Sequence, residues 1–159
     1  MNITIICVGK LKETYWKDAQ QEYLKRLKRF AKIHLIEVMD ESSSITNSDA
    51  DKTSLIVKEG QRILNKIPAN AYVIVMDVNG KKMSSEQFAK QMSDIGIYHA
   101  SHICFVVGGS LGVSSEVKKI SHLKLSFSEM TFPHQLFRVI LLEQIYRCFK
   151  INHNEAYHK

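Results

Sequence analysis

Apolar positions recur along this chain with two spacings, and the change from one spacing to the other predicts the elements. Short runs of apolar and β-branched residues predict strands, over 2–8, 33–38, 72–78, 102–107 and 123–126. Apolar residues three and four positions apart predict helices, over 13–30, 55–67, 84–95, 114–121 and from 133 onward. The polar stretch 40–50 shows neither spacing and predicts a loop.

The alternation of strands with helices predicts an α/β fold, a mostly parallel sheet covered by helices on both faces. Residues 72–78 and 102–107 are nearly all apolar, which is typical of strands buried on both sides. We see neither repeats nor a linker, so we predict a single domain over 1–159. Ligands of such sheets bind at the carboxyl ends of the strands, which draws attention to Met76-Asp77, Gly108-Gly109 and the residues from Ser126 onward.

The last predicted helix is apolar over an unusually wide arc. Leu136 and Ile140 fall on one side, and Phe137, Leu141 and Ile145 fall beside it. A helix with such an arc needs two surfaces to pack against. We expect one to be its own sheet, and a second copy of the chain is a candidate for the other.

Composition narrows the class of protein. The chain is 45% apolar and 24% charged, as in an ordinary globular protein, and no apolar run is long enough to span a membrane. Three cysteines, an odd number, all lie in apolar segments, which favours reduced core thiols and a soluble, cytoplasmic protein. His99 and His102 have no matching cluster of cysteines or carboxylates, so we predict no metal site.

The net charge of +6 permits an acidic partner such as RNA. Residues 10–32 include eight basic and three acidic side chains. A solvated helix face is the simpler interpretation of this excess. A surface that contacts phosphates is the alternative.

Two further segments carry candidate chemistry. The glycines of GGSLG (108–112) allow close approach of a ligand, but the G-x-G spacing of dinucleotide sites fails at Ser110, which disfavours a nicotinamide-dependent oxidoreductase. The tail 151–159 is either a frayed terminus or a functional segment, because Tyr157 and His158 offer a stacking ring and a proton acceptor.

Four segments together resemble the small SPOUT-class methyltransferases of bacteria, namely GGSLG, FSEMTFPHQL, RVILLEQIYR and the ending YHK. The resemblance covers the whole chain. It implies methylation of N3 of a pseudouridine in 23S rRNA of the assembled ribosome, with S-adenosyl-L-methionine as cofactor. It also implies a SPOUT-type α/β knot, with a C-terminal trefoil knot that forms the cofactor pocket, and a homodimer. Ala156 stands where the family commonly has Pro, which predicts a more flexible tail.

The resemblance also implies site residues. The family's cofactor positions match eight residues here: Met76, Gly108, Phe127, Ser128, Glu129, Met130, Thr131 and Phe132. For catalysis we expect His158 or Glu143 as general base, Tyr157 to stack on or clamp the target base, and Arg147 to pair with Glu143 or bind phosphate. A purely structural Glu143–Arg147 pair is an equal alternative. The tail of one protomer is a candidate to complete the pocket of the other.

Two rival functions remain at this stage. A SPOUT methyltransferase acting on another RNA, such as tRNA, would have the same fold and cofactor. A non-catalytic ribosome-binding or nucleotide-binding module is disfavoured by the intact cofactor loop and the YHK ending.

Overall fold

Five strands alternate with five helices in the computed structural model, which describes residues 1–41 and 48–159. The elements follow one another as β1 Asn2–Val8, α1 Thr14–Leu27, β2 Lys32–Val38, α2 Asp49–Leu64, β3 Tyr72–Lys82, α3 Ser85–Tyr98, β4 His102–Val107, α4 Ser115–Lys119, β5 Leu123–Ser126 and α5 His134–Asn152. Most of the predicted loop over 40–50 lies outside the described residues.

The strands form one parallel sheet in the order β2-β1-β4-β3-β5. β1 is flanked on both sides, with Asn2 opposite Lys32 of β2 and His102 of β4. β3 lies between β4 and β5, so the chain passes across β3 when it runs from β4 through α4 to β5. This crossing brings three consecutive strand ends to one region. The trefoil knot and the single domain stay predictions.

Each face of the sheet has its own core, which confirms the α/β prediction. On one face Leu27 of α1, Phe88 of α3 and Leu141 of α5 pack in a single cluster with apolar side chains of the strands. On the other face Ile63 of α2 and Val117 of α4 belong to a second cluster. In the ranges that the structure describes, no helix is both long and apolar enough to span a membrane.

Helix α5 lies against α1 and α3 as well as the sheet, and this arrangement changes the expectation for its wide apolar arc. Val139, Leu141 and Leu142 are buried within one protomer. Leu136 and Ile140 are half-buried and belong to neither core cluster. The arc is therefore largely covered without a second copy.

Polar residues at helix starts explain two boundaries. The hydroxyl of Ser84 accepts from the backbone N–H of Gln87, whose side chain accepts in return from Ser84 N–H, a capping box that begins α3 as predicted. α2 begins at Asp49, six residues before the predicted start at 55. Ser48 caps this first turn and Asp51 lies within it, where a carboxylate is stabilised by the helix dipole. Apolar spacing cannot detect a turn built from polar residues.

Strand β3 does not end at the predicted Asn79-Gly80 turn. It continues to Lys82, with a shift in pairing between Met76 and Lys81, both of which oppose Leu125. A Cβ on Gly80 would lie 2.6 Å from the backbone carbon of Lys124, so glycine here allows β5 to approach closely.

Candidate functional site

A cavity of about 340 Å³ opens where β4 and β5 end and where the pairing of β3 shifts after Met76. Its wall includes Met76 of β3, Gly108 directly after β4 and Phe127 directly after β5. The crossing of β3 brings these positions together, although they are far apart in the sequence. The three strand ends singled out above thus surround a single cavity.

The glycine segment 108–112 is a tight loop with no room for side chains at its base. A Cβ on Gly108 would lie 2.7 Å from the carbonyl oxygen of Gly112. Gly112 has φ +86°, a conformation that L side chains rarely adopt, and its N–H donates to the Gly109 carbonyl at 3.0 Å. These glycines therefore do more than end a strand, because they fix a backbone wall of the cavity.

The loop between β5 and α5 is shaped by its own serines. Ser126 Oγ donates to the carbonyl of Ser128 at 3.1 Å, and Ser128 Oγ accepts from the N–H of Met130 at 3.0 Å. The Phe127 ring packs on Phe137, with centroids 5.4 Å apart. These contacts connect the loop to the first turns of α5.

A charged pair also lines the cavity. Lys118 Nζ lies 2.8 Å from Asp77 Oδ2, and Asn79 N–H donates to the other oxygen of Asp77 at 3.1 Å. Burial alone would raise the pKa of Asp77, but the ammonium group and the amide outweigh it and lower the pKa. One wall of the cavity therefore presents both signs of charge.

The four predicted catalytic residues form a second cluster, which we call the tail cluster: Glu143, Arg147, Tyr157 and His158. Arg147 donates to Glu143 Oε1 through Nη2 at 2.5 Å and Nε at 3.0 Å, and Tyr157 OH donates to the same oxygen at 3.1 Å. The guanidinium also lies over the Tyr157 ring, 4.8 Å from its centroid. Burial raises the pKa of Tyr157 above its usual range, so its phenol stays a donor.

The imidazole of His158 is oriented from both sides. Its Nδ1 lies 3.2 Å from Arg147 Nη1, and its Nε2 lies 2.7 Å from Glu86 Oε1. A guanidinium can only donate, so Nδ1 is the acceptor and the proton on Nε2 is donated to Glu86. Glu86 is held ionised by its own backbone N–H at the start of α3 and by His158, which together lower its pKa to about 2.

Ion pairs on Glu155 hold the tail against its own protomer. Glu155 Oε1 accepts from Arg29 of α1 at 2.6 Å, and Oε2 accepts from Lys150 of α5 at 2.5 Å. Ala156, which was expected to loosen the tail, lies between this anchor and the contacts of Tyr157 and His158. The described tail is bound on both sides of Ala156.

The tail cluster and the cavity lie towards opposite ends of α5. His134, in the first turn, lines the cavity, and Arg147 follows thirteen residues later. At 1.5 Å per residue this separation is about 20 Å along the helix. None of the four residues of the tail cluster lines the cavity of its own protomer.

Comparison with known proteins identifies the family of this chain. The sequence profile described as predicted SPOUT methyltransferase matches residues 1–158. The chain belongs to the SPOUT methyltransferase family. A ribosomal RNA large subunit methyltransferase H from Clostridium novyi is 55% identical over 159 residues, which are 100% of both chains.

Solved structures support the SPOUT fold. A methylase family protein from Haemophilus influenzae matches with a TM-score of 0.56 at 11% identity, over 99% of this chain and 70% of that one. A methyltransferase from Legionella pneumophila, solved with bound S-adenosylmethionine, matches with a TM-score of 0.50 at 8% identity, over 94% and 66%. At these identities the likeness concerns the fold.

In this SPOUT methyltransferase, seven of the eight predicted cofactor residues line the cavity: Met76, Gly108, Phe127, Ser128, Met130, Thr131 and Phe132. Glu129 is the exception, because its exposed carboxylate lies 2.5 Å from Lys82 Nζ. In the part of the chain that the structure describes, no group of three His, Cys, Asp or Glu side chains could hold a metal ion.

Sequence reasoning missed three polar groups near the cavity. Lys118 was not singled out, because a lysine on a short helix has no distinctive spacing. Arg138 is 3% exposed and donates to the Gly9 carbonyl at 3.0 Å and to Glu37 at 2.5 Å, joining the first turns of α5 to the ends of β1 and β2. Glu59 is 4% exposed behind the glycine loop. An arginine or glutamate on a predicted helix normally faces solvent, so only the packing reveals these two.

Proposed function

We propose that this SPOUT methyltransferase uses S-adenosyl-L-methionine to methylate N3 of a pseudouridine in 23S rRNA of the assembled ribosome. The observation that carries the proposal is the single cavity at three strand ends, in a chain that aligns over its full length with relatives named for large-subunit rRNA methylation. The homodimer and the cytoplasmic location belong to the same proposal.

The cavity supports this choice of cofactor. Its volume of about 340 Å³ lies within the range of small-molecule sites, roughly 300–1,000 Å³. Phe127, Phe132 and Met76 offer apolar surface for an adenine ring. Asp77 and Lys118 offer opposite charges, which match a ligand that carries both an ammonium and a carboxylate. When bound, the cofactor supplies an electrophilic methyl group on a sulfonium centre.

The tail cluster supports a role in removing the N3 proton of the substrate. Glu86 accepts the Nε2 proton of His158 and so orients the ring with Nδ1 as the free acceptor, as a carboxylate does in other imidazole bases. His158 is therefore our candidate base, with its Nδ1 released from Arg147. Glu143 already accepts from Arg147, Tyr157 and Gln144, so we assign it the task of positioning.

The distance along α5 supports a site shared between two protomers. None of the four residues of the tail cluster lines the cavity of its own protomer, and the cluster can meet the cavity of a partner if two α5 helices pair with opposite directions. Leu136 and Ile140 form a half-buried apolar strip on the outer side of α5 that such a pair would cover. In this arrangement each cavity receives the tail of the partner.

The direct test is methyl transfer from labelled S-adenosylmethionine to intact ribosomes, with free 23S rRNA and tRNA in parallel. We expect label in 23S rRNA of ribosomes, at a pseudouridine N3. Label in tRNA instead would retain the enzyme class and change the substrate. Cofactor binding without transfer to any RNA would favour a non-catalytic binding module and overturn the proposal.

The shared site has a test of its own. A protomer truncated after Asn154 lacks the tail, and a Gly108→Ala protomer carries a blocked cavity. At a cofactor concentration near the wild-type Kd each variant alone should be nearly inactive, and a mixture exchanged through mild denaturation should regain activity, because one hybrid site then combines an intact cavity with an intact tail. A mixture as inactive as its components would contradict the shared site.

A further inference from the structure

A buried carboxyl group lies behind the cavity and has no role in the chemistry described so far. Glu59 of α2 is 4% exposed. Its Oε1 accepts from the N–H of Glu41 at 2.9 Å. Its Oε2 is also buried and has no hydrogen-bond partner among residues 1–41 and 48–159. Such a group is costly to bury, and native structures rarely retain one without a reason.

The surface facing Glu59 is the glycine loop of the cavity. A Cβ on Gly109 would lie 3.2 Å from Glu59 Oε2. At the next position of α2, a Cβ on Gly60 would lie 2.2 Å from Ser114 Oγ, just beyond the loop. α2 therefore presses on the segment 109–114 with no space between them. A movement of Glu59 would therefore displace the backbone of the cavity wall, which the cofactor would contact.

The charges around Glu59 favour its neutral form. Burial, first, and then the neighbouring carboxylates of Asp40 and Glu41 raise the pKa of Glu59. Against them act the N–H of Glu41 and the guanidinium of Arg62, which is directed to the Met39 carbonyl at 3.1 Å and to the Glu41 carboxylate. The glycine-loop neighbour of Glu59 is Gly109, which carries no charge. A protonated Oε2 is a donor, which a backbone carbonyl can satisfy.

We propose that Glu59 is a positioning residue for the cofactor loop, holding the segment 108–112 in its binding shape from outside the cavity through its buried carboxyl group. This inference rests on the proposed function, because its main consequence is for cofactor affinity. It assigns α2, which contributes no residue to the cavity wall, a part in methyl transfer.

The sign of the pH dependence follows from the raised pKa. The neutral carboxyl, and with it the full support of the loop, is present below the ordinary pKa of glutamic acid. That support is lost as the pH rises through the raised pKa in the folded protein, because an ionised Oε2 has no donor. Cofactor affinity should therefore fall with rising pH in the wild type. Glu59→Gln has no proton to lose and keeps a donor, so its affinity should not follow this trend.

The experiment measures the Kd for S-adenosylmethionine by calorimetry, from about pH 5 to about pH 8, and the amide hydrogen exchange of residues 108–112 without cofactor. Glu59→Gln should bind like the wild type at the acidic end and show a flatter pH profile. Glu59→Ala should bind about tenfold more weakly, corresponding to about 1.4 kcal/mol, and exchange faster in the loop. Lys58→Gln, at the exposed neighbouring position, should match the wild type.

Two results would overturn the inference: a Glu59→Gln profile that parallels the wild type, or a Glu59→Ala variant with a lower Tm but unchanged cofactor affinity and loop exchange. Failure of the proposed function looks different. In that case the wild type itself would not bind S-adenosylmethionine, and the exchange of the loop would still decide whether Glu59 positions it.

Discussion

The cavity and the tail cluster are built on opposite principles. The cavity is a backbone wall, in which glycines let two loops approach and the side chains leave a space of about 340 Å³. The tail cluster is a set of side chains that satisfy one another, with Glu143, Arg147, Tyr157 and His158 joined by hydrogen bonds. One region is prepared for a ligand within a single protomer. The other is filled by its own contacts, and none of its four residues lines that cavity.

Removing the tail should distinguish the roles of the two regions most clearly. Truncation after Asn154 deletes Tyr157 and His158 but leaves every residue of the cavity wall in place. We expect methyl transfer to ribosomes to fall by at least about a hundredfold, the usual contribution of a general base, with little change in cofactor Kd. Removal of Lys159 alone is the control. If the truncated enzyme retains activity, the tail has no part in the mechanism.

Blocking the cavity should produce the reverse result. In Gly108→Ala the new Cβ would lie 2.7 Å from the Gly112 carbonyl, so the loop must shift at a cost of about 1–3 kcal/mol. We expect cofactor affinity measured by calorimetry to fall by roughly ten- to a hundredfold. Ser110→Ala, in the same loop, should bind normally. Equal affinities in the two variants would show that the tight loop does not form the binding wall.

Neutralising the centre of the tail cluster should have a smaller effect. Glu143→Gln keeps an acceptor oxygen for Arg147 and Tyr157 but loses its charge. We expect turnover to fall about tenfold while cofactor Kd is unchanged and Tm shifts by only a few degrees. Glu22→Gln, in the exposed Glu22–Arg26 pair of α1, is the matched control. Unfolding of Glu143→Gln would instead mean that the pair is purely structural.

The smallest effect is expected from alkylating reagents at the three cysteines, which are buried in the core. Burial raises the pKa of Cys7 to about 11 and that of Cys104 to about 12, so almost no thiolate is present near neutral pH. Burial also raises the pKa of Cys148, on the turn of α5 that carries Arg147. Iodoacetamide should label none of them in the folded protein and all of them in denaturant. Selective labelling of Cys148 would reveal that the tail side opens first.

The sequence predicted the strands well because their apolar runs are continuous and end at glycines or polar residues. The bounds of β1, β4 and β5 agree with the prediction to the residue. The extension of β3 through Asn79 and Gly80 was missed, since it depends on how β5 pairs with it. The wide apolar arc of α5 suggested its own sheet and a second copy of the chain as partners; α1 and α3 also cover much of it, and the second copy stays a prediction.

For the candidate site, the sequence indicated which segments matter but not how they are arranged. Three strand ends were predicted to matter, and the crossing of β3 explains why they surround one cavity. Except for Glu129, the residues implied by resemblance fall into two groups, one in the cavity wall and one in the tail cluster, a division that no spacing in the sequence reveals. Asp77–Lys118 and Glu59 depend on contacts between elements, so only the folded chain could identify their environments.

The pairing of β1 with β4 has a consequence for how the chain is made. Asn2 lies opposite His102, so β1 must wait for one of its two neighbours until about a hundred more residues are synthesised. At about 5–20 residues per second, this delay is of order 5–20 s. Throughout it, the apolar edge of β1 stays open to other nascent chains. The enzyme should therefore depend on chaperones during its own synthesis.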